Sequence, residues 1–183
     1  MKVLIILCFC SVAFASPIYK NDENSPRFAL VPDTEGRMYL ADLKAETDFV
    51  PHFNAETDVF FLLFTRANQN VGQQIGSNAD QIRNSNWVSS RPTRFIIHGF
   101  TGGAFSTLNA NIGGAYHRVG DFNVVVVDWN LGADTPNYIT AVNRVPQVAN
   151  VLGEQNLSFF AQKNIFMIFY LIRNYVYKHL VKV

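Results

Sequence analysis

Cysteine is nearly absent from this chain, and both copies, Cys8 and Cys10, fall inside an apolar run from Val3 to Val12. Met1 and Lys2 form a basic start, the run has the length of a signal-peptide core, and Ala13-Phe14-Ala15 is a small-x-small site ahead of Ser16. The expectation is a signal peptide over residues 1–15, cleavage after Ala15, and a secreted, extracellular product without thiols. Such a product has no disulfides, even in an oxidising compartment, and no paired-cysteine metal spacing. His-Glu-x-x-His, Gly-x-Gly-x-x-Gly and phosphate-loop patterns are also missing, so no metal site, nucleotide or other cofactor is expected. No apolar run reaches the roughly 18 to 20 residues that span a bilayer, so no transmembrane helix is expected.

Charge of one sign is lacking too. With the leader removed, 14 basic residues balance 14 acidic ones, and residues 16–154 carry 10 against 14. No basic stripe crosses that body, which argues against a nucleic-acid partner. Residues 155–183 break the pattern, with Lys163, Arg173, Lys178 and Lys182 and no acid at all.

What is present centres on residues 91 to 129. Two uninterrupted apolar runs, Phe95 to Ile97 and Val124 to Val127, have the composition of strands buried on both faces. Between them Phe105, Leu108, Ile112, Ala115, Tyr116 and Val119 recur at helical spacing, so the whole reads as a strand-helix-strand unit. Ligands of such units gather beyond the carboxyl ends of the strands, and His98-Gly99-Phe100 leaves the first strand there. A loop running through Gly99 and then Thr101-Gly102-Gly103 carries little bulk, so its backbone N–H groups can face outward and hold an oxyanion. The plainer reading is also open: His98 as a strand-end histidine bonded to backbone, Gly99 as a turn residue and the Phe100 ring as core.

Asp58 to Arg66 with Asn68, then Ser77-Asn78, then Arg91-Pro92-Thr93-Arg94-Phe95-Ile96-Ile97-His98-Gly99-Phe100, and finally Gly120 to Trp129 stand in one order and spacing. This set resembles the amino-terminal part of the pancreatic-lipase-like family, especially its insect neutral lipases, over about residues 55 to 154. The resemblance implies an α/β fold, here a truncated α/β-hydrolase-type sheet with flanking helices. It also implies a carboxylic ester hydrolase of triacylglycerol or phospholipid, with a lipid ester or lipid surface as partner. In the family pattern the Phe100 N–H is one oxyanion-hole donor, with His98 and Gly99 shaping the loop, and the Phe100 ring could line an acyl pocket.

The family pattern then leads to a Gly-x-Ser-x-Gly nucleophile elbow, and this chain contains none. The later serine, aspartate and histidine have no matching positions, so no catalytic residue is carried over and the chain as written is expected to be inactive. A substitute triad can be composed from Ser106, Asp128 and one of His52, His98, His117 or His179, but nothing in the sequence fixes its geometry. Ser106 is more economically the start of a helix, His117 a surface position beside Arg118, and Asp128 a strand-end carboxylate bonding loop amides.

Four segments follow: the signal peptide, an amino-terminal extension over 16–57, a lipase-like domain over 58–154, and a divergent apolar-basic tail over 155–183. The extension reads either as a lid or propeptide, or as a surface segment with little order. Asp58 to Thr65 is expected as a strand, Arg66 to Trp87 as turns with a possible second strand, and Asn137 to Glu154 as a helix broken or restarted at Pro146. Tyr138, Val142, Val145, Ala149 and Leu152 form its apolar face. In the tail, Ile165 to Ile172 is either part of a membrane-surface helix or a crude substitute for the family's next strand. Asn156-Leu157-Ser158 is a glycosylation sequon, making Asn156 its acceptor. Beside the lipase reading stands a non-catalytic lipid-binding homologue of yolk-protein type.

Overall fold

The computed structural model describes residues 26–46, 52–76, 79–159 and 165–169. In chain order these form β1 (Phe28–Pro32), β2 (Met38–Asp42), α1 (Ala55–Asp58), β3 (Phe60–Phe64), β4 (Gln73–Ile75) and α2 (Ala79–Arg83). They continue as β5 (Thr93–Ile97), α3 (Thr107–Val119), β6 (Asn123–Asp128), α4 (Asn130–Ala133), α5 (Tyr138–Phe159) and β7 (Ile165–Phe169).

The main sheet has strand order β4-β3-β6-β5-β7. Strand β5 runs parallel to both β6 and β7, whereas β3 is antiparallel to β6 and to β4. The unit of β5, α3 and β6 is therefore the strand-helix-strand crossover that the apolar runs predict. Alternation along the strands splits the core in two. Phe95, Ile97, Val125 and Val127 point to the α5 side with Ala141, Val145, Val148 and Leu152, while Ile96, Val124 and Val126 meet Ile112 and Tyr116 of α3. Helices on both sheet faces make the fold α/β, as expected.

The structure differs from the sequence reading in five places. Asp58 closes the short helix α1, capped by the Asn54 side chain accepting the Glu56 N–H at 3.1 Å, so the first strand of the main sheet starts at Phe60. On α3 the buried residues are Asn109, Gly113 and His117, while Phe105 lies before the helix and, like Val119, is exposed. Gly113 faces the sheet, where a Cβ would stand at an ordinary 3.8 Å from Val124 Cγ1.

Pro146 lies inside an unbroken α5. Removing one helical hydrogen bond and adding a ring clash costs about 3 kcal/mol. Val145, Val148 and Leu152 are at most 1% exposed, and each contributes roughly 1.5–3 kcal/mol on burial, so packing outweighs the break. The buried line also shifts from the predicted set to Ala141, Val145, Val148 and Leu152, with Tyr138, Val142 and Ala149 only partly covered.

Residues 28 to 42 form an antiparallel hairpin, with Leu30 opposite Leu40 and Pro32 opposite Met38. Its turn is built on Asp33, whose buried carboxylate accepts the Glu35 and Arg37 N–H groups at 2.9 and 2.7 Å and Arg37 Nε–H at 2.6 Å, with Gly36 at φ 80°. That carboxyl lies below its ordinary value: burial pushes it up, and the bonds from Arg37 and Glu35 outweigh it. In the tail, Ile165 to Phe169 is a strand on the free side of β5, in register Thr93 to Ile165 and Ile97 to Phe169. The remainder of the expected apolar run lies outside the described residues, as does the signal peptide.

Candidate functional site at the carboxyl ends of the parallel strands

His98, the first residue after β5, is fully buried and braces the ends of β5 and β6. Its Nδ1 faces Gly99 O at 3.1 Å, and its ring stacks on Trp129 with centroids 5.7 Å apart. Trp129 Nε1–H donates to His98 O at 2.8 Å. Nε2 is the shared point, 3.1 Å from Asp128 Oδ1 and 3.1 Å from the Trp129 backbone nitrogen. A proton on Nε2 bonds Asp128; without it, Nε2 accepts from the Trp129 N–H. Asp128 also accepts the Asn130 N–H at 3.1 Å. Burial pushes its carboxyl up, and the bonds from His98 and from the Asn130 and Ala104 amides outweigh burial and hold it below its ordinary value.

Beyond His98 three loop amides are bonded. The Gly99 N–H donates to Thr34 Oγ1 at 3.1 Å, the Thr101 N–H to Ala133 O at 3.1 Å, and the Gly102 N–H to Gly99 O at 3.1 Å. Among the described residues, the Phe100 N–H has no acceptor. Its ring is buried, edge-on to Tyr39 at 5.7 Å and to Tyr138 at 5.2 Å. The amide and the ring thus have different roles: the ring anchors the loop in the core, and the backbone donor is left over.

Thr101 follows at φ 52°, a left-handed conformation that a β-branched residue adopts at a cost of about 1–3 kcal/mol. Its Oγ1 is buried without a partner among the described residues. A Cβ at Gly102 would collide with Thr34 Oγ1 and stand 2.8 Å from His98 Nδ1, so only glycine fits. A cleft of about 400 Å³ opens here, lined by Thr101 to Ser106, Asp128, Asn130 and Glu35 of the hairpin. Phe100 is not in its lining, so neither its ring nor its N–H forms part of that wall.

The other candidates are dispersed. Ser106 caps α3, its hydroxyl accepting the Asn109 N–H at 3.3 Å, and no histidine among the described residues bonds it. His117, expected at the surface, is 7% exposed, and neither ring nitrogen has a partner among the described residues. Its imidazole is pushed below its ordinary value by burial first and then by Arg66. His52 is exposed, and His179 lies outside the described residues. Asn156 lies on the α5 backbone, its side chain outside the description. No substitute triad is assembled among the described residues. No cluster of three potential metal ligands occurs among the described residues, and no helix there is long and apolar enough to cross a membrane.

Three residues of the site escaped the sequence reading. Thr34 and Glu35 lie far away in sequence, although Asp33-Thr34-Glu35-Gly36 carries a turn signal. Asn109 sits at a helix position that periodicity treats as ordinary, yet its amide donates to Gly103 O at 2.9 Å and Ala104 O at 3.3 Å, holding the cleft wall.

A mixed sheet covered by helices, with a glycine loop leaving the first parallel crossover strand, defines an α/β domain of hydrolase type. The chain belongs to the lipase family: the family model described as Lipase matches residues 31–168. That match runs from inside β1 to inside β7, beyond the residues that carry the motif resemblance. Among relatives, pancreatic triacylglycerol lipase of Ictidomys tridecemlineatus is 37% identical over 86 residues, 47% of this chain and 18% of its own length. The same-named protein of Oryctolagus cuniculus is 41% identical over 75 residues, 41% of this chain and 16% of its own. Lipase member H-A of Xenopus laevis is 35% identical over 124 residues, 66% of this chain and 26% of its own. The chain therefore spans about a quarter or less of the length of these relatives.

Proposed function

We propose that this chain carries one half of a lipid-ester hydrolase site, the oxyanion loop, and that as written it performs no turnover. Secretion belongs to this reading, supported by the leader from Met1 to Ala15. The substrate class is a carboxylic ester of triacylglycerol or phospholipid type, supported by family membership and, for triacylglycerol alone, by the names of the relatives. The observation that carries the reading is the Phe100 N–H, without an acceptor among the described residues while the amides on either side of it, Gly99 and Thr101, are bonded. A donor left open at the carboxyl end of a parallel strand is what acyl transfer needs for the oxygen that becomes negative. The second donor and the nucleophile come from an elbow motif that these 183 residues do not contain.

The test is hydrolysis of tributyrin by the secreted chain and by Ser106→Ala. No turnover in either is expected, with a loss of about 1 kcal/mol of stability in the variant from the missing cap. Turnover in the parent that Ser106→Ala abolishes would sink the reading. Sequencing of whole transcripts across the codons for residues 150–160 addresses truncation: messages continuing into a Gly-x-Ser-x-Gly segment support it, and messages uniformly ending as written oppose it.

A second reading, lipid binding without catalysis, is favoured by the outer face of the hairpin. Phe28, Leu30, Met38 and Leu40 are between 52% and 70% exposed there, four large apolar groups on one small surface. Co-flotation of the chain with phosphatidylcholine vesicles supports this reading if Leu30→Glu with Leu40→Glu abolishes it. Absence of flotation removes it.

A further inference from the structure

The hairpin turn reaches across the sheet to the same loop, and its contacts bracket one peptide. The Gly99–Phe100 peptide is planar and trans, so its C=O and N–H point in opposite directions. Its carbonyl accepts the Gly102 N–H at 3.1 Å and faces His98 Nδ1 at 3.1 Å, which directs the Phe100 N–H the other way. Thr34 holds the peptides on either side. On the preceding peptide, its Oγ1 accepts the Gly99 N–H at 3.1 Å. On the following one, the Phe100 carbonyl accepts the Thr34 N–H at 3.3 Å and the Thr34 hydroxyl at 3.4 Å. Thr34 is 8% exposed, so water is a poor substitute for these bonds. Beside it Glu35 Oε1 accepts the Thr107 N–H at 3.1 Å, tying the turn to the first residue of α3 on the rim of the cleft.

We propose that Thr34 is a positioning residue for oxyanion binding: it clamps the peptides on both sides of Gly99–Phe100 so that the Phe100 N–H stays open to a developing anion. The amino-terminal hairpin is then a structural part of the catalytic half-site. Glu35 is a second tie that holds the turn against α3. This inference rests on the reading of the Phe100 N–H as an oxyanion donor. Its geometric content, that the Thr34 hydroxyl governs the loop, is tested separately.

The experiment is amide hydrogen exchange and 1H–15N shift mapping on the full labelled chain, as parent, Thr34→Ser and Thr34→Val. Butylphosphonate is titrated as a tetrahedral anion probe. Valine keeps the shape and removes the hydroxyl, whereas serine keeps the hydroxyl. In the parent and in Thr34→Ser, a protected Gly99 amide, an exchanging Phe100 amide and a Phe100 shift on adding probe are expected. In Thr34→Val, Gly99 exchange should rise about tenfold and the Phe100 response should vanish, while amides of β5 and β6 stay protected.

Parent-like exchange and probe response in Thr34→Val, or valine-like behaviour in Thr34→Ser, overturns the proposal. If Thr34→Val does not fold, the parent decides: a protected Phe100 amide with a fast-exchanging Gly99 amide overturns the proposal, and the reverse supports it. If the probe moves no Phe100 amide in any variant while Gly99 exchange follows the hydroxyl, the oxyanion reading fails and the clamp remains.

Discussion

The two ends of the central sheet are built from similar residue types and finished differently. At the amino end, fully buried Asn123 uses its whole side chain: Oδ1 accepts the Val88 N–H at 3.1 Å, and Nδ2 donates to Val88 O at 2.9 Å and Arg91 O at 3.2 Å. Its own N–H donates to Pro92 O at 3.1 Å. At the carboxyl end, within four residues of β5, the structure leaves the Phe100 N–H and Thr101 Oγ1 without partners among the described residues and holds Thr101 in a left-handed conformation. Unbonded polar groups and strained backbone cost free energy, and such costs recur at functional sites. The amino end is tied down by Asn123, with the His117 ring nitrogens as its own buried groups without partners among the described residues. The carboxyl end keeps the open donor on which the proposed oxyanion role rests.

Four measurements would break or sharpen that contrast. The largest effect is expected from Trp129→Ala, which removes a 1% exposed indole and its bond to His98 O. A loss of about 3–5 kcal/mol in urea unfolding is expected, and a loss below about 1 kcal/mol would show that the brace between β5 and β6 is dispensable. Asn123→Ala should follow at about 3 kcal/mol, because it strands the Val88 N–H, Val88 O and Arg91 O together. A cost no larger than a surface substitution would erase the contrast.

The third measurement is a pH profile. His117 binds its proton less readily folded than unfolded, mainly through burial and then through Arg66, so its value lies below 6.5. As pH falls through 6.5 the unfolded chain takes up the proton first, and stability present above that value is lost as pH passes the folded-state value. Stability measured from pH 7 to 5 should therefore fall less in His117→Met than in the parent, and identical slopes would remove His117 as the cause. The smallest effect has the opposite sign. Thr101→Gly relieves the left-handed strain and should raise stability by about 1 kcal/mol in thermal unfolding; a loss would mean that the Thr101 methyl contributes more packing than its backbone costs.

Legibility in the sequence followed the range of the physics. Phe95 to Ile97 and Val124 to Val127 were readable as strands because strand burial on both faces demands uninterrupted apolar residues. Gly99 and Gly102 marked a tight loop, and at Gly102 the close approach of Thr34 and His98 excludes a Cβ. Thr34 was not readable, since its partners Gly99 and Phe100 lie 65 and 66 residues away and a threonine in a turn looks like any other. His117 misled because its place in the last turn beside Arg118 resembles a surface, while it shares the buried face of α3 with Asn109 and Gly113. Pro146 misled for the opposite reason. Its local preference was read correctly, and the packing of Val145, Val148 and Leu152 overrode it.

By itself, then, the sequence determined the α/β class, the central crossover and the glycine loop after His98, because each follows from local sterics and periodic burial along neighbouring residues. Only the tertiary structure decided which amide of that loop stays open. The choice depends on where Thr34 Oγ1 and Ala133 O arrive from two distant segments, and hydrogen bonds form by distance in space rather than along the chain.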